Sequence, residues 1–276
     1  MSKPSLLAVG RASLALLLAG PAWAGPSVPT LEERFAGKDG CFVLYDLKSR
    51  RTLESYGGER CAKRLPACST FKVPLAVMAY DKGLLEDEDT PMKWDGKDHG
   101  VPAWNKDQTA TSWMRNSVVW FSQRLTMAMG METVKSYLDK FEYGNRDMSG
   151  GLTTAWLDLG GTATLKISAD EQVKFLAKLW RDELPASKDA MKRARKLTYL
   201  STSAKGAVLQ GKTGSSAPTE TRLGWFVGRV FVPGQAPRDL VFALNFTEPT
   251  PKEGPRMGGQ AAKELAVSIL TDLGFY

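Results

Sequence analysis

Pro66-Ala67-Cys68-Ser69-Thr70-Phe71-Lys72-Val73-Pro74 is the stretch that the rest of the chain is organised around, and it predicts a loop that runs into a helix. A serine and a lysine stand three residues apart at the start of that helix. Residues i and i+3 project from the same face of a helical turn, so the Lys72 amine comes within reach of the Ser69 hydroxyl. Apolar residues follow from Val73 to Met78, which predicts an apolar environment for this pair.

Two interpretations of this pair are open. In one, Ser69 caps the helix and Lys72 is a surface lysine, and capping serines are common. In the other, burial lowers the pKa of Lys72 from its reference of ~10.4 toward neutrality, and the amine removes the proton of the Ser69 hydroxyl. A serine needs such a base to become a nucleophile, and the N–H groups of a helix N-terminus favour a developing oxyanion. The second interpretation describes an acyl-transfer site.

Residues 1–24 have the pattern of a cleavable secretory signal. Lys3 and Arg11 are the only charges there, the apolar run from Ser13 to Gly20 is too short to span a bilayer, and Ala22-Trp23-Ala24 is a small-x-small cleavage site. Removal of these two cations lowers the formal net charge of the 276-residue chain from +7 to +5. No other stretch is a transmembrane candidate. We therefore expect an exported, periplasmic protein with no membrane partner.

The cysteine and histidine content limits the kinds of active site that the chain can form. Cys41 and Cys61 bracket a predicted hairpin, and an exported protein permits a disulfide between them. Cys68 is then left over, and we expect it to be a small buried residue. The chain has a single histidine, His99, which weakens a Cys-His enzyme, a Ser-His-Asp triad and a zinc site alike. We expect no metal.

The one dense basic run is Lys192-Arg193-Ala194-Arg195-Lys196. No aromatic residues interleave it in a nucleic-acid-binding pattern, and we interpret it as a solvated helix face. We therefore expect no nucleic-acid partner.

The spacing at which hydrophobic residues recur changes along the chain. Strands are predicted first, then helices, then strands again before a closing helix. The predicted strands are Cys41 to Asp46, Thr52 to Tyr56, Val208 to Thr213, Leu223 to Val232 and Leu240 to Phe246. The predicted helices are Thr30 to Ala36, Ser69 to about Leu85, Trp113 to Met129, Glu132 to Phe141, Asp170 to Leu184 with Ser168 as its cap, Ser187 to Leu197, and about Gly258 to Leu273. We interpret residues 86–112 as a long polar segment that runs over the surface.

The simplest fold for this order is α+β, with one antiparallel sheet built from both chain ends, flanking helices and an inserted helical lobe. We expect residues 25–276 to form a single domain. Its sheet lobe would span about 25–65 and 205–276, and its helical lobe about 66–204.

Three further motifs follow the serine–lysine pair. Lys212-Thr213-Gly214 ends a strand and offers an anionic substrate a cation, a hydroxyl and a backbone that can be approached closely. Ser117-Val118-Val119 lies between helical stretches, where a helix-start serine followed by core valines is the alternative interpretation. Tyr143-Gly144-Asn145 is more typical of a turn than of a site.

In this order and spacing, the four motifs resemble those of the penicillin-recognising serine enzymes. They are most similar to the class D serine β-lactamases, the oxacillinase family, over nearly the whole mature chain. Further matching pieces are Ser69-Thr70-Phe71-Lys72, Ala155-Trp156-Leu157, Gly224-Trp225-Phe226-Val227-Gly228 and Pro255-Arg256.

Departures separate the chain from related classes. Class A enzymes have Ser-Asp-Asn where this chain has Ser117-Val118-Val119, and their water-activating loop glutamate has no convincing counterpart between residues 143 and 168. Class C enzymes use a Tyr-x-Asn tyrosine, which Tyr143-Gly144-Asn145 could imitate. The Ser-x-Val and Trp-Leu pieces favour class D, in which this tyrosine is not the base.

The resemblance implies a β-lactam hydrolase that acylates Ser69 and uses Lys72, N-carboxylated by carbon dioxide, as general base. It needs no other cofactor. Phe71, Val119 and Leu157 would keep water from the carboxylated lysine, and the Trp156 indole would donate to it. Ser117 would pass a proton to the leaving nitrogen. Ser69 and Ser215 would form the oxyanion hole. Lys212, Thr213, Gly214 and Arg256 would bind the substrate, although Arg256 could also be an exposed helix-start arginine.

Two alternatives share these motifs. One is a β-lactam sensor domain that is acylated once and stops, and the other is a cell-wall peptidase acting on peptidyl-D-alanine. A sensor would carry transmembrane helices ahead of the domain, and such peptidases usually carry further domains or an anchor. We expect a monomer or a homodimer that acts on a small-molecule β-lactam.

Overall fold

The computed structural model describes Met1 and residues 28–276, so the predicted signal segment lies, apart from Met1, outside the described residues. The helices are α1 (Leu31–Arg34), α2 (Glu59–Ala62), α3 (Lys72–Asp81), α4 (Ala110–Asn116), α5 (Val119–Met129), α6 (Met131–Lys140), α7 (Ala169–Trp180), α8 (Lys188–Leu197) and α9 (Gly258–Asp272). The strands are β1 (Asp39–Asp46), β2 (Arg51–Tyr56), β3 (Leu65–Pro66), β4 (Lys166–Ile167), β5 (Tyr199–Thr202), β6 (Val208–Ser215), β7 (Thr221–Val232) and β8 (Arg238–Pro249).

The main sheet has six strands, in the order β2-β1-β8-β7-β6-β5. Every neighbouring pair in it is antiparallel, and β1 from the beginning of the chain pairs directly with β8 from its end. The predicted α+β fold with a sheet built from both chain ends is therefore confirmed. Helices α3 to α8 lie between the two groups of strands in the sequence.

The two faces of the sheet are apolar because side chains alternate along each strand. In β1, Cys41 and Val43 join a core with the helices of the middle of the chain, whereas Phe42 and Leu44 join a second core that α9 covers. The sheet is thus covered by helices on both faces, a layered arrangement that buries each apolar surface.

Helix α3 lies inside the larger core. Every residue from Lys72 to Tyr80 is buried, so this helix has no exposed polar face. A helix that is apolar on all sides is typical of the centre of a domain. This location takes the lysine of the SxxK motif out of water.

The cysteines behave as the sequence predicts. Cys41 and Cys61 form a disulfide bond with a Cα–Cα distance of 5.2 Å. Cys68 is free and buried. Among the described residues, no helix is both long enough and apolar enough to cross a membrane.

Several elements differ from prediction, among them the short helix α2 and the short strands β3 and β4, which were not predicted. The helix predicted from Trp113 to Met129 is divided at Ser117 and Val118 into α4 and α5. Strand β5 was not predicted, because it has only four residues and none of them is buried. By contrast, Ser168 caps α7 as predicted, accepting a hydrogen bond from the Glu171 N–H.

Candidate active site

The candidate nucleophile lies on a 3-10 turn, Cys68–Phe71, that leads directly into α3. The Nζ of Lys72 lies 3.3 Å from the Oγ of Ser69. Lys72 is fully buried, whereas Ser69 remains partly exposed. The structure therefore brings the two residues of the SxxK motif into hydrogen-bond distance, with the serine accessible to a substrate.

Burial lowers the pKa of Lys72 well below its ordinary value, and the charge of Lys212 lowers it further, whereas the Cys68 thiol opposes this shift. Desolvation has this effect because it disfavours the charged ammonium form. A neutral amine has a lone pair that can accept a proton, which an ammonium group lacks. The surroundings of Lys72 thus favour the neutral, proton-accepting form of the amine beside Ser69.

The turn that carries Ser69 is held in an uncommon conformation. Cys68 has a φ of 49°, in the left-handed region, which costs about 1–3 kcal/mol for a non-glycine residue. The Thr70 hydroxyl donates to the Ala67 carbonyl at 2.5 Å, and the Gln172 side-chain amide donates to the Thr70 Oγ1 at 2.8 Å. These buried bonds from inside the turn and from α7 hold the backbone on both sides of Ser69.

Ser117 lies at the break between α4 and α5. It ends α4 with a φ of 57°, again in the left-handed region, and α5 begins at Val119. The Trp104 indole N–H donates to the Asn116 carbonyl at 2.9 Å, and the Trp120 indole N–H donates to the Trp104 carbonyl at 2.9 Å. The Trp104 indole therefore fixes the backbone that immediately precedes Ser117, and the Trp120 indole holds Trp104 in turn.

The Lys-Thr-Gly motif lies on a strand with an open edge. Among the described residues, β5 pairs with β6 only as far as Gln210, so Lys212 to Ser215 have a strand partner on the β7 side alone. An open edge presents unpaired N–H and C=O groups to an extended ligand. This edge is suited to the backbone-like amide of a substrate.

Lys212 is buried at this edge. Burial lowers its pKa to about 7, and its Nζ donates to the Thr213 carbonyl at 3.0 Å. An anionic group placed beside it would favour the charged form and raise that pKa again. Binding of a carboxylate would therefore increase the fraction of Lys212 that carries a positive charge.

Close packing places β6 against the turn that carries the nucleophile. A β-carbon at Gly214 would lie 3.1 Å from the Thr70 Cγ2 and 3.3 Å from the Cys68 Cβ. From the other side, the Gly259 N–H at the start of α9 donates to the Ser215 Oγ at 2.8 Å. A β-carbon at Gly259 would lie only 2.8 Å from that Oγ. Two glycines thus let the turn, the strand and α9 come together.

Of the predicted pocket residues, Phe71 and Trp156 pack against each other at the SxxK turn. Trp156 is fully buried, and its ring centre lies 5.0 Å from that of Phe71, which directly precedes Lys72. Val119 and Leu157 are half-buried. The Trp156 Nε1 has no hydrogen-bond partner in the described part of the chain. Leaving a buried donor unpaired costs about 1–3 kcal/mol, so this indole fits an acceptor such as a carboxylate on Lys72.

Arg256 and Tyr143 have different surroundings. Arg256 is exposed and precedes α9, and its side chain forms no hydrogen bond or ion pair with the described residues. The structure therefore does not join it to the other substrate-binding candidates. Tyr143 is fully buried, and burial raises its pKa, which does not suit a base.

Sequence reasoning missed three residues that support the site: Trp104, Gln172 and Gly259. Trp104 lies in the segment interpreted as a surface excursion. Gln172 is a buried polar residue beside the apolar positions of α7, and this conflict with the helical pattern was a usable signal. No group of three or more His, Cys, Asp or Glu residues that could hold a metal occurs within the described residues.

Comparisons with known proteins agree with this geometry. The family model described as "Penicillin binding protein transpeptidase domain" matches residues 40–271. The chain is 37% identical to "Beta-lactamase OXA-1" of Escherichia coli, over 77% of this chain and 78% of that protein. The solved structure "Class D beta-lactamase BAT-2 delta mutant" superposes with a TM-score of 0.79 at 31% identity, covering 91% of this chain and 99% of that one.

A relative with a different name also matches. "Regulatory protein BlaR1" of Bacillus licheniformis is 32% identical over 90% of this chain but only 39% of its own length. The named β-lactamases, in contrast, match over most of both chains, and the solved structure is entitled class D. With the serine–lysine pair, the Ser-x-Val break and the Lys-Thr-Gly strand in place, the chain belongs to the class D serine β-lactamase family.

Proposed function

We propose that this protein hydrolyses β-lactam antibiotics through an acyl-enzyme on Ser69. The observation that carries this proposal is the 3.3 Å distance between the Ser69 Oγ and the Nζ of a fully buried Lys72 with a lowered pKa. A serine beside a neutral base is an activated nucleophile, and a strained cyclic amide is a fitting electrophile for it.

Acylation forms one bond and breaks another. The Ser69 Oγ attacks the carbonyl carbon of the β-lactam while Lys72 takes the hydroxyl proton, and the ring C–N bond then breaks. Ser117 passes its hydroxyl proton to the departing nitrogen and receives in return the proton held at Lys72, so the group at Lys72 is a base again. The N–H groups of Ser69 and Ser215 hold the oxyanion, and removing one such donor typically costs ~10²–10³-fold in rate. The bond from Gly259 to the Ser215 hydroxyl supports this assignment, because it fixes that residue against α9.

The open edge of β6 binds the substrate. Lys212 and Thr213 receive the carboxylate on the ring fused to the β-lactam, and Gly214 lets the substrate backbone approach the strand. Arg256 supplies a second cation from the loop before α9. Its exposed side chain has no other partner among the described residues, which leaves it free for this role.

We also propose that Lys72 is N-carboxylated. The burial and lowered pKa of Lys72 support this, because carbon dioxide reacts only with the neutral amine. Phe71, Val119 and Leu157 would keep water from the modified side chain, and the Trp156 indole would donate to it. When present, the carboxylate supplies an anionic acceptor for the Ser69 proton and, later, for a proton of the water that hydrolyses the ester.

Deacylation returns the free enzyme. A water molecule loses a proton to the base at Lys72 and attacks the ester carbon, the bond from that carbon to the Ser69 Oγ breaks, and Ser69 regains its proton. The product is the ring-opened acid. We place this reaction in the periplasm, from the predicted signal in residues 1–24, and expect a monomer or a homodimer.

The second candidate is a β-lactam sensor that is acylated without turnover. The likeness to a protein named as regulatory suggests this candidate, although the match covers only 39% of that protein's length. It shares Ser69, Lys72 and the acylation step, so the two candidates differ only in deacylation. A cell-wall peptidase that does not turn over β-lactams would differ in the same way.

A time course with a chromogenic cephalosporin, with and without added bicarbonate, tests these proposals. Many turnovers per protein, increased by bicarbonate, are expected, and Ser69→Ala should abolish both turnover and covalent labelling. Release of a single equivalent would contradict hydrolysis and favour the sensor or the peptidase. Turnover that stays indifferent to bicarbonate after the protein has been degassed at acidic pH, where the amine is protonated, would contradict carboxylation alone.

A further inference from the structure

A cavity of about 600 Å³ lies along the open edge of β6, and Gly211, Lys212 and Thr213 contribute to its lining. The other walls come from β5, β7, α4 and α9, from the end of α8, and from Glu88 in the segment before α4. Because β5 ends its pairing at Gln210, the cavity continues the same edge that we assign to the substrate.

The direction of the substrate along β6 follows from the roles of three positions. The oxyanion donor is at Ser215 and the carboxylate is received at Thr213 and Lys212, so the leaving ring points toward Gly211. Successive strand residues advance by about 3.3 Å. A substituent on the leaving ring beside the carboxylate would therefore enter the cavity next to Gly211.

The walls of the cavity are cationic. Arg115 from α4, Lys196 from α8 and Lys263 from α9 contribute positive charges, against the single carboxylate of Glu88. Glu88 already forms an ion pair with Lys196. Among the described residues, neither Arg115 nor Lys263 has an ion-pair partner, although each is at or near the solvent. The charge that is left uncompensated thus belongs to these two side chains.

An apolar surface accompanies the charge. Tyr199 on β5 lines the cavity and is 55% exposed, which is unusual for a large aromatic side chain. The ring face of a tyrosine offers contact area to a flat group at low cost in conformational entropy. A flat substituent that ends in an anion matches both features.

We propose that this cavity receives the leaving-ring substituent of the β-lactam and that Arg115 and Lys263 select substrates in which that substituent is anionic. This inference rests on the proposed acylation of Ser69 and names the substrate class of that site. The two cations are partly solvated, so each contributes a modest attraction that dissolved salt weakens.

The test uses two cephalosporins that differ only at the end of the substituent on the leaving ring, a carboxylate in one and the corresponding amide in the other. The ratio of their kcat/KM values is measured for the unaltered protein, Arg115→Gln and Lys263→Gln. The matched control is Lys192→Gln, which removes a cation from the exposed side of α8 that does not line the cavity.

We expect the unaltered protein to favour the carboxylate compound, and each cavity variant to lower that preference about two- to fivefold through KM. Higher ionic strength should reduce the preference, and Lys192→Gln should retain it. Equal losses for both compounds in the cavity variants, or the same loss in Lys192→Gln, would overturn the inference.

The outcome can be separated from the fate of the proposed function. Should the protein be acylated without turnover, hydrolysis fails as the function, and the same ratio is then read from acylation rates measured by intact-protein mass. A preference in those rates that the cavity variants lower supports the inference, and its absence overturns it. Failure of both compounds to acylate Ser69 overturns both proposals.

Discussion

The indole N–H of Trp104 donates to the backbone carbonyl of Asn116 at 2.9 Å, directly before the left-handed Ser117. Trp104 belongs to a long segment between α3 and α4 that runs over the surface, whereas Asn116 is the last residue of α4. The bond therefore connects a surface segment to the backbone of the residue that we assign to proton transfer.

We predict that Trp104→Phe lowers kcat/KM about five- to tenfold, because the ring is kept while a hydrogen bond worth about 1 kcal/mol is lost. The acylation rate should fall, since we propose that Ser117 protonates the leaving nitrogen in that step. Trp94→Phe is the matched control, because its indole donates to the Lys97 carbonyl within the same segment. Equal effects of the two variants on acylation would contradict a specific role for Trp104.

Much of the fold could be predicted from sequence, because the spacing of apolar residues indicates which face of a strand or helix is buried. The alternation of Cys41, Phe42, Val43 and Leu44 between two apolar cores is one such record. Strand β5 escaped prediction because a short, exposed strand carries no alternating burial. Its position still determines the site, since its end leaves the edge of β6 open.

The residues of the candidate site likewise fall into those that the sequence can predict and those that it cannot. Ser69, Lys72 and Lys212 belong to motifs whose residue types indicate a particular chemistry, so sequence reasoning could propose them as site residues. The break at Ser117 could not be found from periodicity, because apolar residues continue at helical spacing across it. A left-handed backbone at a residue other than glycine depends on distant contacts, here the Trp104 indole. Roles that depend on tertiary contacts leave little trace in a single sequence.

The bond from Gln172 to Thr70 gives a second prediction. Gln172→Leu removes a buried donor that holds the turn around Ser69, and we expect a loss of about 1–3 kcal/mol in the free energy of unfolding together with slower acylation. A double-mutant cycle with Thr70→Val checks the origin of the effect. Because the two residues share this bond, their effects should be non-additive by about 0.5–3 kcal/mol. Strict additivity would place the cause elsewhere.

The Trp156 indole gives a third prediction. Trp156→Phe removes the unpaired N–H and keeps most of the apolar ring, so acylation should continue while deacylation slows about tenfold or more, and activity should need more added bicarbonate. Accumulation of the acyl-enzyme, followed by intact-protein mass, is the measurement. Trp113→Phe is the control, because that buried indole already donates to the Ser122 hydroxyl at 2.9 Å. Full steady-state activity in Trp156→Phe would remove Trp156 from the mechanism.

Titration of the two buried lysines should make kcat/KM fall at opposite ends of the pH range. Burial lowers the pKa of the Lys72 amine, and as the pH falls and this amine becomes protonated it can neither accept a proton nor be carboxylated. Burial also lowers the pKa of Lys212 to about 7, so its positive charge is present below that pH and is lost as the pH rises through it. The free-enzyme profile of kcat/KM should therefore fall on both sides.

The substrate carboxylate allows the alkaline limb to be assigned. For an ordinary cephalosporin, KM should rise above about pH 7, because neutral Lys212 no longer attracts the carboxylate. In the bound complex the carboxylate raises the pKa of Lys212, so the corresponding limb in kcat should lie at higher pH than the limb in kcat/KM. The methyl ester of the same compound lacks the charge, and its KM should not change across this range. An ester whose KM rises in parallel with that of the acid would show that a group other than Lys212 titrates.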